Sequence, residues 1–137
     1  MNYEITKLKK MSDKRGYLIE FLKNSEIENK EFGQNYFVTF DSKEQIRGNH
    51  YHKKKSEWFA IAFGKAEVNL RDLQTGETVS LILSDDEDGY LTRLFVGTNI
   101  AHSFKSLSEK AVLLNYTDRE YHLEDPDTYF YDLGLKK

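Results

Sequence analysis

Glu57-Trp-Phe-Ala-Ile-Ala-Phe63, Gly64 and then Lys65-Ala-Glu-Val-Asn-Leu-Arg71 decide the fold class. In residues 65–71 every second side chain is apolar: Ala66, Val68 and Leu70 face one way, while Lys65, Glu67, Asn69 and Arg71 face the other. That period of two is a strand with one wet face. Residues 57–63 differ, because Phe59, Ile61 and Phe63 fill one face while Trp58, Ala60 and Ala62 make the other apolar too. A strand covered on both sides is expected there, and a partner subunit is one candidate for the second cover. Outward from this pair, β-branched and aromatic runs recur at 36–41, 78–83, 91–96 and 111–117, with shorter ones at 4–8 and 17–22. Gln74-Thr-Gly-Glu77 is a hairpin turn, and Ser84-Asp-Asp-Glu-Asp-Gly89 is a longer acidic loop. Many short strands at this spacing predict an all-β sandwich or barrel, and residues 1–137 are expected to form one domain, with residues 133–137 frayed.

Composition narrows the function classes. The 137 residues are 39% hydrophobic and 14% aromatic, with nine Tyr and nine Phe, which is enough for a real core. The formal net charge is −3, from 20 Lys and Arg against 23 Asp and Glu, so no basic footprint points to nucleic acid. There is no cysteine, which excludes disulfides, thiolate metal sites and thiol nucleophiles. No apolar run approaches the ~18 residues of a membrane span, and the N-terminus lacks the apolar stretch of a signal peptide. A cytoplasmic protein with no membrane association is expected.

Arg47-Gly-Asn-His50-Tyr-His52-Lys-Lys-Lys-Ser-Glu57 carries the chemistry. On an extended segment His50 and His52 point to one face. Glu57 opens the next strand in phase with Phe59 and Ile61, which puts its carboxylate at the mouth of whatever those residues line. If the strand carrying His102 lies alongside, three imidazoles and a carboxylate converge into a divalent-metal site for zinc, iron, nickel or manganese. The Lys53, Lys54 and Lys55 run reads as a solvated loop, placed where it could steer an anionic substrate. His122 has no supporting pattern and is expected at the surface.

The pattern H-x-H-x4-E-x6-G, followed by G-x4-H, resembles the cupin family of small β-barrels. A narrower resemblance covers most of the chain: Asp13-Lys-Arg15-Gly16-Tyr-Leu-Ile-Glu20, Arg47-Gly48-Asn-His50, Ile100-Ala-His102-Ser-Phe104, Asn115-Tyr-Thr-Asp-Arg-Glu-Tyr121 and Asp125-Pro-Asp-Thr-Tyr129. Together they resemble the RmlC-like sugar-nucleotide isomerases: dTDP-4-dehydrorhamnose 3,5-epimerase, the dTDP-4-keto-6-deoxyglucose 3,4-ketoisomerases, and the cupin domain of some capsular-polysaccharide reductases. The paired histidines and the Asp125–Tyr129 stretch are most similar to the last two.

The resemblance implies a jelly-roll barrel, a homodimer, and proton transfer next to the keto group of a dTDP- or UDP-linked 4-keto-6-deoxyhexose. It implies His50 as base and Tyr121 as acid, with Tyr36 as the ketoisomerase-like alternative. His52, protonated beside Glu57, is a candidate stabiliser of the oxyanion. Arg47, Arg15, Glu20 and His102 are implied to contact substrate, Arg15 and Glu20 often across a dimer interface. Where the 3,5-epimerases commonly carry a lysine as electrophile, this chain has Glu57. Either a metal on His50, His52, Glu57 and His102 polarises the carbonyl or a weaker stabiliser serves, so no cofactor is expected to be required. Two other readings are a metal-dependent oxidative cupin and a non-catalytic sugar-nucleotide-binding module.

Overall fold

The computed structural model describes residues 1–134, of which the alternation in the sequence makes a set of two-faced strands. The elements are β1 (Tyr3–Lys9), β2 (Met11–Asp13), β3 (Gly16–Leu18), β4 (Gln34–Phe40), β5 (Ile46–Tyr51), β6 (Glu57–Phe63), β7 (Lys65–Asp72), β8 (Thr78–Ser84), β9 (Tyr90–Val96), β10 (Ile100–Ser106), β11 (Ala111–Thr117) and β12 (Tyr129–Phe130), with one 3-10 turn at Asn24–Glu26. Two five-stranded antiparallel sheets face each other, in the orders β1-β9-β6-β11-β4 and β12-β5-β10-β7-β8, and β2 and β3 form a separate hairpin. This is the jelly-roll barrel of the cupins. The expected fraying at 133–137 falls, for residues 135–137, outside the described residues. Among the described residues no helix is long and apolar enough to cross a membrane.

The in-phase apolar positions make the core. Phe59, Ile61, Leu94, Val96, Phe40 and Leu113 from the first sheet meet Ala66, Val68, Leu70, Leu83, Ile100 and Phe104 from the second, all nearly sealed from solvent. Each large side chain in that layer contributes roughly 1.5–3 kcal/mol of burial, against the ordering of about a dozen strands. Gly76 turns the β7–β8 hairpin with φ +78°, as the turn signal requires.

The second face of β6 is covered in part by the chain itself. Trp58 packs against Phe95 at 4.9 Å and Tyr116 at 5.8 Å between ring centroids. Residues 19–33 fold back across this face, where Arg93 donates to the Phe21 carbonyl at 2.8 Å and pairs with Glu26 at 3.0 Å. This return explains why the strand expected at 17–22 stops at Leu18: from there the chain leaves the hairpin and crosses the sheet. Ala62 at the far end of β6 remains exposed.

Candidate active site in the mouth of the barrel

Register brings the histidines together. In the β5–β10 pair His50 lies directly opposite His102, and the register shifts by a bulge immediately after, between His102 and Ser103. The bulge is accommodated by Gly48 at φ +93° and Asn49 at φ +56°. A Cβ on Gly48 would lie 2.7 Å from the His102 carbonyl oxygen. Gly48→Ala should therefore cost about 1–3 kcal/mol of stability and displace His50, lowering Tm by several degrees together with activity; a thermal melt checks it.

His50, His52, Glu57 and His102 each place one ligand atom so that all lie within 4.8 Å of one another. Glu57 is not at a mouth, as expected from its position at the start of a strand, but sealed at 2% exposure. The reason is register: β6 is central in its sheet, and Glu57 is flanked there by Thr117 of β11 and Val96 of β9. Its Oε2 lies 3.1 Å from His52 Nε2 and 3.0 Å from His102 Nε2.

Both imidazoles are held from behind. His52 Nδ1 donates to the Asp127 carbonyl at 2.6 Å and His102 Nδ1 to the Ile100 carbonyl at 3.0 Å. With Nδ1 carrying the hydrogen, each Nε2 presents a lone pair to the carboxylate unless a further cation, a proton or a metal, lies between them. The contact from His102 Nε2 to the carboxylate is close but off the direction of a hydrogen bond, which leaves that buried nitrogen without a hydrogen-bond partner among the described residues. Backbone-anchored Nδ1 atoms and converging Nε2 atoms are how metal-ligating histidines are oriented, so three imidazoles and a carboxylate here fit a divalent metal.

The electrostatics follow from this packing. Burial, and then the neighbouring His102 and His52, push His50 down to about 3, with Glu57 opposing them. Burial alone would raise the Glu57 carboxyl, but its two imidazole neighbours hold it well below the usual carboxylate range. Burial, and secondarily the Glu57 charge, push the Tyr36 hydroxyl up, so it stays a phenol.

A cavity of about 260 Å³ opens over this cluster, lined by Gln34, Tyr36, His50, His52, Lys55, Thr117, Tyr121 and Thr128. It is close to the ~300 Å³ lower end of small-molecule pockets and is bordered by both expected tyrosines. His102 and Glu57 form the floor below it rather than its lining. Three expected contacts are elsewhere in the chain. The Arg47 Nε donates to the Thr39 carbonyl at 3.1 Å with the guanidinium over Phe40, and Arg15 is fastened to Asp13 at the exposed β2–β3 hairpin. Glu20 is exposed and paired with Lys23. His122 is at the surface, as expected.

Two residues at the site carry more than the sequence reading gave them, Asp127 within the Asp125–Tyr129 resemblance and Lys55 within a lysine run placed to steer an anionic substrate. Asp127 accepts the backbone N–H groups of Lys53, Lys54 and Lys55 at 2.8, 2.9 and 3.0 Å, so its carboxylate fixes the loop while its carbonyl orients His52. Those three donors outweigh burial and hold its carboxyl below the usual range. Lys55, expected in a solvated loop, is 8% exposed, because that loop is drawn down onto Asp127; Lys53 and Lys54 remain outside. The Asp125-Pro-Asp-Thr-Tyr129 stretch was the only signal for Asp127.

The chain is 29% identical over 131 residues to the spore coat polysaccharide biosynthesis protein SpsL of Bacillus subtilis, covering 90% of this chain and 83% of that one. QdtA, a sugar 3,4-ketoisomerase from Thermoanaerobacterium thermosaccharolyticum solved with TDP, superposes with a TM-score of 0.76 at 25% identity, over 93% of this chain and 87% of that one. The 3,5-epimerase RmlC of Legionella pneumophila, solved with dTDP-4-keto-L-rhamnose, has the same fold, with a TM-score of 0.81 at 21% identity over 96% and 73% of the two chains. Other matched proteins are longer, and the chain spans 27% and 31% of two of them. The family model described as the polysaccharide biosynthesis C-terminal domain matches residues 11–129, and the chain belongs to that family.

Proposed function

We propose that the protein is a cytoplasmic sugar-nucleotide isomerase of deoxysugar and cell-surface polysaccharide biosynthesis. Its substrate is a dTDP- or UDP-linked 4-keto-6-deoxyhexose, isomerised by 3,4-ketoisomerisation or by epimerisation at C3 or C5. The observation that carries this is a neutral imidazole, His50, facing a sugar-sized cavity bordered by Tyr36 and Tyr121. Family membership, the TDP held by QdtA and the nucleotide sugar held by RmlC support it.

The ketone acidifies the C–H bonds beside it. His50 takes one such proton, the C–H electron pair becomes a C=C bond, and the carbonyl oxygen becomes an oxyanion. Tyr121 or Tyr36 returns a proton to carbon: to the same carbon on the other face in epimerisation, or to C4 in ketoisomerisation, where the C3 hydroxyl proton passes to the C4 oxygen and leaves the carbonyl at C3. A base held down to about 3 is always neutral at pH 7 but weak, so the step depends on stabilising the oxyanion and on the anionic substrate raising His50 once bound. His52 and His102 stand on the Glu57 side of the cavity, where His52 can add positive charge. Arg47 serves the diphosphate once it leaves the Thr39 carbonyl, and Arg15, from the exposed β2–β3 hairpin, and Glu20 contact the nucleotide of the neighbouring subunit in a homodimer.

His50, His52, Glu57 and His102 are the residues that would hold a divalent metal, which would act as a Lewis acid at a carbonyl oxygen. In this proposal the metal is not required. The four-ligand cluster also favours a second reading, a metal-dependent oxidative cupin.

Incubation with dTDP-4-keto-6-deoxyglucose and its UDP counterpart in deuterated water tests the reading. Deuterium is expected at a carbon flanking C4, and its absence with both substrates would count decisively against an isomerase. Dialysis against a chelator, followed by metal analysis, should leave that exchange unchanged. Oxygen uptake that depends on added iron would select the oxidative reading instead.

A further inference from the structure

We propose that Lys55 supplies the positive charge that stabilises the oxyanion formed when His50 removes the proton beside the ketone. This rests on the isomerase reading and adds to His52 a second cation in the cavity wall.

Lys55 is 92% buried by its 8% exposure, yet among the described residues its ammonium has no carboxylate within 4.0 Å. The neighbouring Lys54 spends its charge on Asp125 instead. The stem is buried, while Nζ is not among the sealed polar atoms, so the ammonium ends in the open cavity. Here the fold imposes the position: the Lys55 N–H is tied to Asp127 Oδ2 at 3.0 Å, in a loop held by three such bonds. The side chain therefore enters the wall of the His50 cavity beside Tyr36, Thr117 and Tyr121, with Nζ 5.8 Å from the Tyr121 ring centroid. An ammonium in this cavity with no anion of its own has the chemistry to receive one that arises during the reaction.

The electron balance is simple. The C–H pair moves into the C3–C4 or C4–C5 bond, the carbonyl π pair moves onto oxygen, and the proton goes to His50. Lys55 keeps all its protons and contributes charge and an N–H donor. A preorganised donor of this kind is worth about 10²–10³ in turnover, because it acts on charge that develops only in the transition state.

Lys55→Met and Lys55→Ala test this with dTDP-4-keto-6-deoxyglucose in deuterated water and with TDP as a separate ligand. For Lys55→Met, exchange at saturating substrate should fall about 100-fold or more, while KM and the thermal shift produced by TDP stay within a factor of about three of wild type. Exchange by Lys55→Ala should recover at least tenfold on addition of ethylamine, which also keeps the proposal testable if the methionine variant folds poorly. Exchange within threefold of wild type in either folded variant would overturn the assignment. So would a loss confined to TDP binding, which would place Lys55 on a phosphate, or the absence of any amine rescue. Wild-type protein that exchanges nothing would sink the isomerase reading itself, a different outcome from wild-type exchange that survives loss of Lys55.

Discussion

His50→Asn should lose solvent exchange into a 4-keto-6-deoxyhexose by about 10³-fold and still fold. The magnitude is that of removing a positioned general base, typically 10²–10⁴. Asparagine nearly matches the imidazole in size at a half-buried position but cannot accept a proton at pH 7. Among the described residues His50 makes no side-chain hydrogen bond that folding depends on: its ring lies 5.0 Å from His52 and 4.8 Å from His102 between centroids. The variant is accordingly expected to melt within a few degrees of wild type at pH 7. Full exchange in the folded variant would remove His50 from the base role.

The same variant has a second signature in stability. His50 is depressed to about 3 in the folded chain but titrates near ~6.5 when unfolded. Between those values the unfolded state binds the extra proton, so wild type loses stability as pH falls, by up to ~1.4 kcal/mol per unit for one proton. Above about 6.5 both states are neutral there and the contribution is flat. Asparagine removes this dependence, so His50→Asn should show a shallower fall in Tm between pH 6.5 and 4.5. Parallel curves for the two proteins would mean that His50 is not held neutral by its surroundings.

What the sequence made legible was whatever depends on parity and order. Period-two alternation placed β7, a run apolar on both faces placed β6, β-branched and aromatic runs placed β8, β9 and β11, and the spacing of His50, His52, Glu57 and His102 carried the cluster. What it did not contain was long-range closure. Asp127 lies more than 70 residues beyond the loop it fastens, and only that fastening pulls Lys55 out of water. The cover over Trp58 likewise depends on residues 19–33 returning across the sheet, a path no local pattern encodes. Charged side chains were the least legible: Arg47 turns to the Thr39 carbonyl rather than to the cavity. Nothing in the spacing of a long flexible side chain fixes its direction, whereas a histidine on a strand has only two faces to choose from.

Glu57→Ala should be the most destabilising single change in the site. Its carboxylate is 2% exposed and faces two imidazole nitrogens at 3.1 and 3.0 Å. Removing one member of a buried charged cluster leaves the others without compensation, at about 3–5 kcal/mol, a large fraction of the ~5–15 kcal/mol that holds a domain together. Tm should fall by about 10 °C or more at pH 7, with a matching drop in the urea midpoint. The sign of the pH dependence follows from the depressed carboxyl. Its stabilisation is fully present above the unfolded value near ~4.3 and is lost as pH falls through the lower folded value. The gap between Glu57→Ala and wild type should thus narrow in acid. Glu57→Gln separates charge from shape: it keeps the volume but removes the negative charge that compensates a proton or metal held against the two Nε2 atoms, so it should recover part of the lost Tm and none of any divalent-metal uptake. An alanine variant that melts with wild type at pH 7 would mean that the carboxylate and its two imidazoles are not the buried, mutually compensating cluster on which the site's electrostatics depend.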